Sequence, residues 1–196
     1  MRCIFLCCLV LLHGCALNQL SVAKSAHAPA TPYGRVMLHV EAPLDTRQSV
    51  AKALLPRLSA RASTQLVNSV DLFFPGTKYA PRDYARIMRA NKVDAVLHIQ
   101  ILGTKSVESY IPIPTFSNST TTISGDIHAT AETTTTNTQM QPIATTVAQY
   151  RVLLIDVQRA QVVWMADGST SDLYGAATKL IAALLDSGLV AKKAAR

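Results

Sequence analysis

The chain has 196 residues, enough for one ordinary domain after a short leader. It is 49% hydrophobic and 16% charged, which excludes a globally disordered chain and allows a packed core. The formal net charge is +7 and the pI about 9.4, yet the basic residues are scattered (Arg47, Lys52, Arg57, Arg61, Arg82, Arg86, Arg89) at helix-like intervals. Solvated faces explain that spacing, so nucleic acid is not an expected partner. Anionic lipid headgroups or cell-wall polymer suit the balance better.

Met1 and Arg2 form a basic start, and residues 4–12 are continuously apolar. That run is about half of what a spanning helix needs, and it reads as the core of a signal peptide. It closes on Leu12-His13-Gly14-Cys15. This resembles the bacterial lipobox, with His13 as the one departure. The resemblance implies cleavage between Gly14 and Cys15 and diacylglycerol and acyl chains on the Cys15 thiol, with no other cofactor. Each buried CH₂ adds about 0.8 kcal/mol, so several chains anchor firmly where one does not. Cys3, Cys7 and Cys8 leave with the leader, and Cys15 alone remains, so no internal disulfide is possible. By resemblance to envelope sorting, Ala16 favours the outer membrane, on its periplasmic side. Residues 16–33 are small and polar with two prolines, and read as a flexible tether.

The domain is expected over residues 34–190, with 191–196 as a basic tail. Residues 34–41 read as a buried strand. Asp45 with Gln48 suits a capping box, and Val50, Leu54 and Leu58 recur on one helical face, with Pro56 expected to kink or end that helix. A short strand near residues 64–67 and a Pro75-Gly76 turn follow. Pro81 opens a helix with the stripe Tyr84, Ile87, Met88 and a left-handed stop at Asn91. Residues 93–102 (VDAVLHIQIL) form a strand, and the β-α-β-α-β order predicts a sheet with helical crossovers.

Residues 104–146 are rich in Ser and Thr. Ile123, Gly125, Ile127, Ala129 and Ala131 alternate with polar residues, so this stretch predicts a strand, a turn at residues 133–137 and a returning strand over 138–147, with a disordered loop over 104–146 as the other reading. Residues 149–157 and 162–168 predict a hairpin in which Asp156 accepts backbone N–H groups and Ala160 sits where glycine is usual. Asp172 starts a last helix bearing Leu180, Ile181 and Leu184, closed by Gly188. The fold class is α/β (α+β): a mixed sheet flanked by about three helices, a Thr-rich hairpin insertion, and a C-terminal hairpin plus helix.

The strand at 93–102 with its preceding helix, the run Leu154-Ile155-Asp156 to Val162-Val163-Trp164, and the closing Gly188-Leu189-Val190 resemble the α/β domain of CsgG-type, TolB N-terminal-type and LpoB-type envelope proteins. The resemblance covers most of residues 34–190. It implies a non-enzymatic accessory protein that binds another envelope protein; in an LpoB-like version the partner is a cell-wall synthase. A CsgG-like version is a homo-oligomeric pore or secretion component built from the Thr-rich hairpin.

No nucleophile–base set, metalloprotease motif, Cys-x-x-Cys or phosphate loop occurs, so no catalytic residue is assigned. No metal is expected. If the strands at 34–41 and 93–102 are neighbours, His39, His98 and Glu41 are the set that reaches a Zn²⁺ ion; the simpler reading is two histidines satisfied by hydrogen bonds. Ile123, Ile127 and Trp164 are the candidates for partner contact, although Trp164 also reads as half-buried core.

Overall fold

The computed structural model describes residues 19–123 and 129–194. Gly14, Cys15 and Ile127, with the rest of the lipobox, lie outside the described residues. Those described form an α+β fold of six strands and four helices: β1 Gln19–Lys24, β2 Arg35–Glu41, α1 Leu44–Arg61, β3 Gln65–Asn68, α2 Ser69–Leu72, α3 Pro81–Ala90, β4 Ala95–Ile123, β5 Ala129–Asp156, β6 Gln161–Thr170 and α4 Leu173–Asp186. They make one mixed sheet in the order β1-β6-β5-β4-β2-β3. β2 runs parallel to both β3 and β4, as helical crossovers require, and β6 is antiparallel to β1 and β5. The chain divides into two compact units, residues 106–146 and the remainder.

In the larger unit, period-two alternation puts Val36, Leu38 and Val40 of β2 and Ala95, Leu97 and Ile99 of β4 on one face, all buried. Leu54 and Leu58 of α1 and Leu180, Ile181 and Leu184 of α4 join them in a single core. Each fully buried aliphatic side chain contributes roughly 1.5–3 kcal/mol. Asp172 caps α4 by accepting from the N–H groups of Tyr174 and Gly175, at 2.9 and 2.8 Å. Gly188 closes the helix at φ 73°, a left-handed geometry that glycine adopts without steric cost.

Several local expectations are corrected. Helix α1 runs through Pro56 to Arg61. Pro56 and Lys52 lie on the exposed face, where water can take the freed carbonyl, while buried Leu54 and Leu58 hold the flanking turns. Pro43, not Asp45, is the N-cap residue, and Asp45 lies in the first turn, where its charge still favours the helix N-terminus. At the end of α3, Asn91 has φ −93° and Lys92 takes the left-handed position at φ 51°. Within the tether expected over residues 16–33, the described part from Gln19 is tied to the domain. Gln19–Lys24 pairs with β6 from Gln19↔Ser169 to Lys24↔Trp164, covers that strand's edge, and packs Leu20 against the core. Helix α2, a single turn capped by Asn68, had no sequence counterpart.

The β5–β6 hairpin forms as expected. Asp156 Oδ1 accepts from the Arg159 N–H at 2.8 Å, and Ala160 takes φ 52°. That backbone costs a Cβ-bearing residue on the order of 1 kcal/mol. Ala160→Gly is therefore expected to raise stability by at most about 0.6 kcal/mol, once the roughly 0.4–1 kcal/mol of entropy that glycine adds to the unfolded chain is subtracted. A urea midpoint that falls on this substitution would show that the turn is unstrained.

Strands β4 and β5, of 29 and 28 residues, far exceed the ordinary range of about 3–10. β2 accompanies β4 only as far as Gln100, and β6 accompanies β5 only from Ala148. Beyond those points no other strand among the described residues pairs with the outer edge of either. In the smaller unit the β4 portion starting at Ser106 extends about 60 Å at about 3.3 Å per residue. The turn expected at residues 133–137 is strand, consistent with the extended preference of β-branched threonine. No helix among the described residues is long and apolar enough to cross a membrane.

Candidate functional site

The residues of β2 and β4 that point away from the core form a polar cluster on the back of the sheet. Parallel pairing sets His39 opposite His98 and Glu41 opposite Gln100. The imidazole rings meet edge to face at 5.1 Å. Glu41 Oε2 accepts from Gln100 Nε2 at 2.9 Å and lies 3.1 Å from His98 Nε2. His39 Nδ1 lies 3.3 Å from the hydroxyl of Ser69, which is buried at the start of α2. The three residues singled out in the sequence thus come together, but they satisfy one another. The Glu41 oxygen is engaged twice, and the His39 nitrogen faces a hydroxyl. Among the described residues no group of three or more His, Cys, Asp or Glu side chains is placed to hold a metal ion.

Burial pushes the His39 imidazole below its ordinary value, the charges of His98 and Arg47 add to this, and Glu41 opposes it. The hydrogen bond from Gln100, then that from His98, holds the Glu41 carboxyl below its usual range. Because the folded protein binds the His39 proton less readily than the unfolded chain, this group's stabilisation is present above the ordinary histidine value near 6.5. It is lost as pH falls through that value toward the lowered folded one. The urea midpoint is expected to decline between about pH 7 and pH 5, and His39→Gln to flatten that decline. An unchanged slope in the variant would assign the effect to other groups.

Beside this cluster, the segment following β3 crosses the back of the sheet. Phe73, Tyr79 and Tyr84 pack against one another with centroids 5.4, 4.7 and 5.6 Å apart. The Tyr79 hydroxyl accepts from the Phe74 N–H at 3.0 Å. Helix α3 carries an apolar stripe of Tyr84, Ile87 and Met88, yet none of its residues is buried. Below this segment lies a cavity of about 510 Å³, floored by Met37 and Val96 and flanked by Val70 and Met88. His39 and Arg47 supply its charge-bearing wall, and no acidic residue lines it. Arg47 Nε donates to the Ala42 carbonyl at 2.6 Å, which fixes the guanidinium root at the start of α1.

Trp164, a candidate for partner contact, is 1% exposed and belongs to the core, so it offers no surface. Ile123 ends the described part of β4. Two features of the face were not anticipated. Arg151 and Asp167 form a two-pronged ion pair across β5 and β6, at 2.7 and 3.1 Å, and the aromatic group around Tyr84 forms the roof of the cavity. The roof had a partial signal, since Phe73 and Tyr79 flank the Pro75-Gly76 turn. The ion pair follows from register, which one strand's sequence does not show.

No family model matches the chain, and no curated protein does. Among solved structures it is similar to the PelC dodecamer of Paraburkholderia phytofirmans, with 19% identity over 90% of this chain and 100% of that one, at a TM-score of 0.47. A point variant of the same dodecamer gives 18% identity over 89% and 99%, also at 0.47.

Proposed function

We propose that this protein is a lipid-anchored, periplasm-facing accessory protein of the outer membrane that works by binding another envelope protein, not by catalysis. The observation that carries the binding role is the pair of free edges on β4 and β5. An isolated two-stranded ribbon is marginal in water, and unpaired N–H and C=O rows are templates for an added strand. The free edges run beyond Gln100 on β4 and before Ala148 on β5.

The lipobox-like Leu12-His13-Gly14-Cys15 supports the anchor. Strand β1 begins at Gln19, so at most about 15 Å of extended chain separates it from Cys15, and the lipid holds the domain near the bilayer. A second reading, a homo-oligomeric pore or secretion component, is favoured by the length of the strands in residues 106–146 (the arm), since a membrane-spanning strand needs only about 9–11 residues. The composition of the arm opposes it: Pro112, Pro114 and Pro142 each remove a backbone donor from a strand, and the Ser/Thr-rich sequence lacks an apolar band with aromatic girdles.

Crosslinking in intact cells, followed by purification, separates these readings. The accessory role predicts a different envelope protein bound to the full chain and lost when residues 106–146 are replaced by a short turn. Recovery of higher-order copies of this chain alone would favour the pore, and no crosslinked species at all would contradict both.

A further inference from the structure

We propose that the cavity behind the sheet is a binding site for a single-chain anionic amphiphile, a carboxylate or phosphate monoester on one acyl chain. This site is independent of the arm and of the function proposed above.

Three observations converge on it. The first is size and lining. A cavity of about 510 Å³ falls within the roughly 300–1,000 Å³ typical of small-molecule sites, and its floor and sides carry Met37, Val70, Met88 and Val96. Methionine and valine walls accommodate an alkyl chain by dispersion, and the unbranched methionines adjust to its path. The second is the roof. Tyr84 and Met88 of helix α3 line the cavity, and no residue of that helix is buried, so its hydrophobic side chains are not satisfied by the protein's own core. The roof aromatics are held by contacts with one another, which leaves the space beneath them to a ligand.

The third is charge. Among the lining residues Arg47 is a cation and His39 a titratable base, and none is acidic. The Ala42 carbonyl holds Arg47 through Nε, and the terminal guanidinium nitrogens have no hydrogen-bond partner among the described residues, which leaves them to a ligand head. A planar guanidinium matches carboxylate and phosphate geometry, and in a partly desolvated wall that match is stronger than at an open surface. An anionic head on an apolar tail is the ligand that uses both ends of the site. A neutral amphiphile leaves Arg47 unpaired, and a free anion leaves the apolar walls unfilled.

The test uses the full chain in amphipathic polymer, free of detergent, titrated below micelle-forming concentrations. The probes are dodecanoate, lauroyl lysophosphatidate, dodecanol and inorganic phosphate, followed by equilibrium dialysis and by the shift in Tm. At least one of the two anionic amphiphiles is expected to bind with a stoichiometry of one and to raise the Tm, and the stronger of the two identifies the head as carboxylate or phosphate. Dodecanol is expected to bind at least about tenfold more weakly, and phosphate not to bind measurably. Arg47→Gln should weaken the anionic amphiphile about tenfold and leave dodecanol unchanged. Met88→Trp, which fills the cavity, should abolish both while keeping the far-ultraviolet circular dichroism of the parent. If that variant misfolds, the Arg47→Gln comparison decides alone. Equal uptake of dodecanoate and dodecanol, or anionic binding unaffected by Arg47→Gln, would overturn the proposal.

Discussion

Trp164→Ala is expected to lower the free energy of unfolding by about 3–5 kcal/mol, the cost of removing a large buried aromatic and leaving a cavity. Trp164 is 1% exposed and lies on β6, between its register partners Leu154 on β5 and Lys24 on β1, within the core that α1 and α4 cover. Domains of this kind have about 5–15 kcal/mol in total, so the variant loses a large share and becomes prone to unfolding. Trp164 is also the only tryptophan, so the comparison needs circular dichroism in urea and not intrinsic fluorescence. A loss under about 1 kcal/mol would show that the site collapses freely, and that the tight core described around β6 is wrong.

Asp156→Ala should cost about 2–4 kcal/mol, because one carboxylate satisfies two separate parts of the chain. It is 6% exposed. Its Oδ2 accepts from the Tyr33 hydroxyl at 2.9 Å, and its Oδ1 accepts from the Arg159 N–H at 2.8 Å. The Arg159 guanidinium lies 3.6 Å away. Burial, followed by the hydrogen bond to Asp156, raises the Tyr33 phenol well above its ordinary value, so it stays a proton donor throughout the accessible pH range. Alanine removes the acceptor and strands a buried hydroxyl. Tyr33→Phe removes only the donor, and should cost less, about 1–3 kcal/mol, since the carboxylate keeps its turn contacts. If the two variants cost the same, the turn contact at Arg159 contributes nothing and the tie between Tyr33, which precedes β2, and the hairpin is the whole effect.

The parts of the fold that could be read ahead were those where local pattern and tertiary role agree. Val36, Leu38 and Val40 alternate cleanly because one face of β2 is core, and the β-α-β order follows from parallel neighbours separated by helices. The closing helix is announced at both ends by Asp172 and Gly188. What escaped depends on distant partners. Gln19–Lys24 has too little apolar contrast to look like a strand and becomes one by completing the edge of β6. Pro56 is tolerated because it faces water. In the arm, a run of threonines was read as a turn where β-branched residues favour extension. At the candidate site, the alternation of His39 with His98 was legible from strand parity. Their mutual satisfaction through Ser69, Gln100 and Glu41 was not, because it requires the register of β2 on β4 and the position of α2.

The claim that the arm works by strand addition is tested most directly by residue-resolved amide exchange on the full chain in its native membrane. In a two-stranded antiparallel ribbon, alternate amides bond inward and the others point to the outer edge, where they exchange with water. Added strands on those edges protect both sets. Protection of consecutive amides along the arm portions of β4 and β5 is expected in membranes, and an alternating protected and free pattern in the purified chain. The alternating pattern persisting in membranes would mean that nothing pairs with the arm, and would contradict the claim.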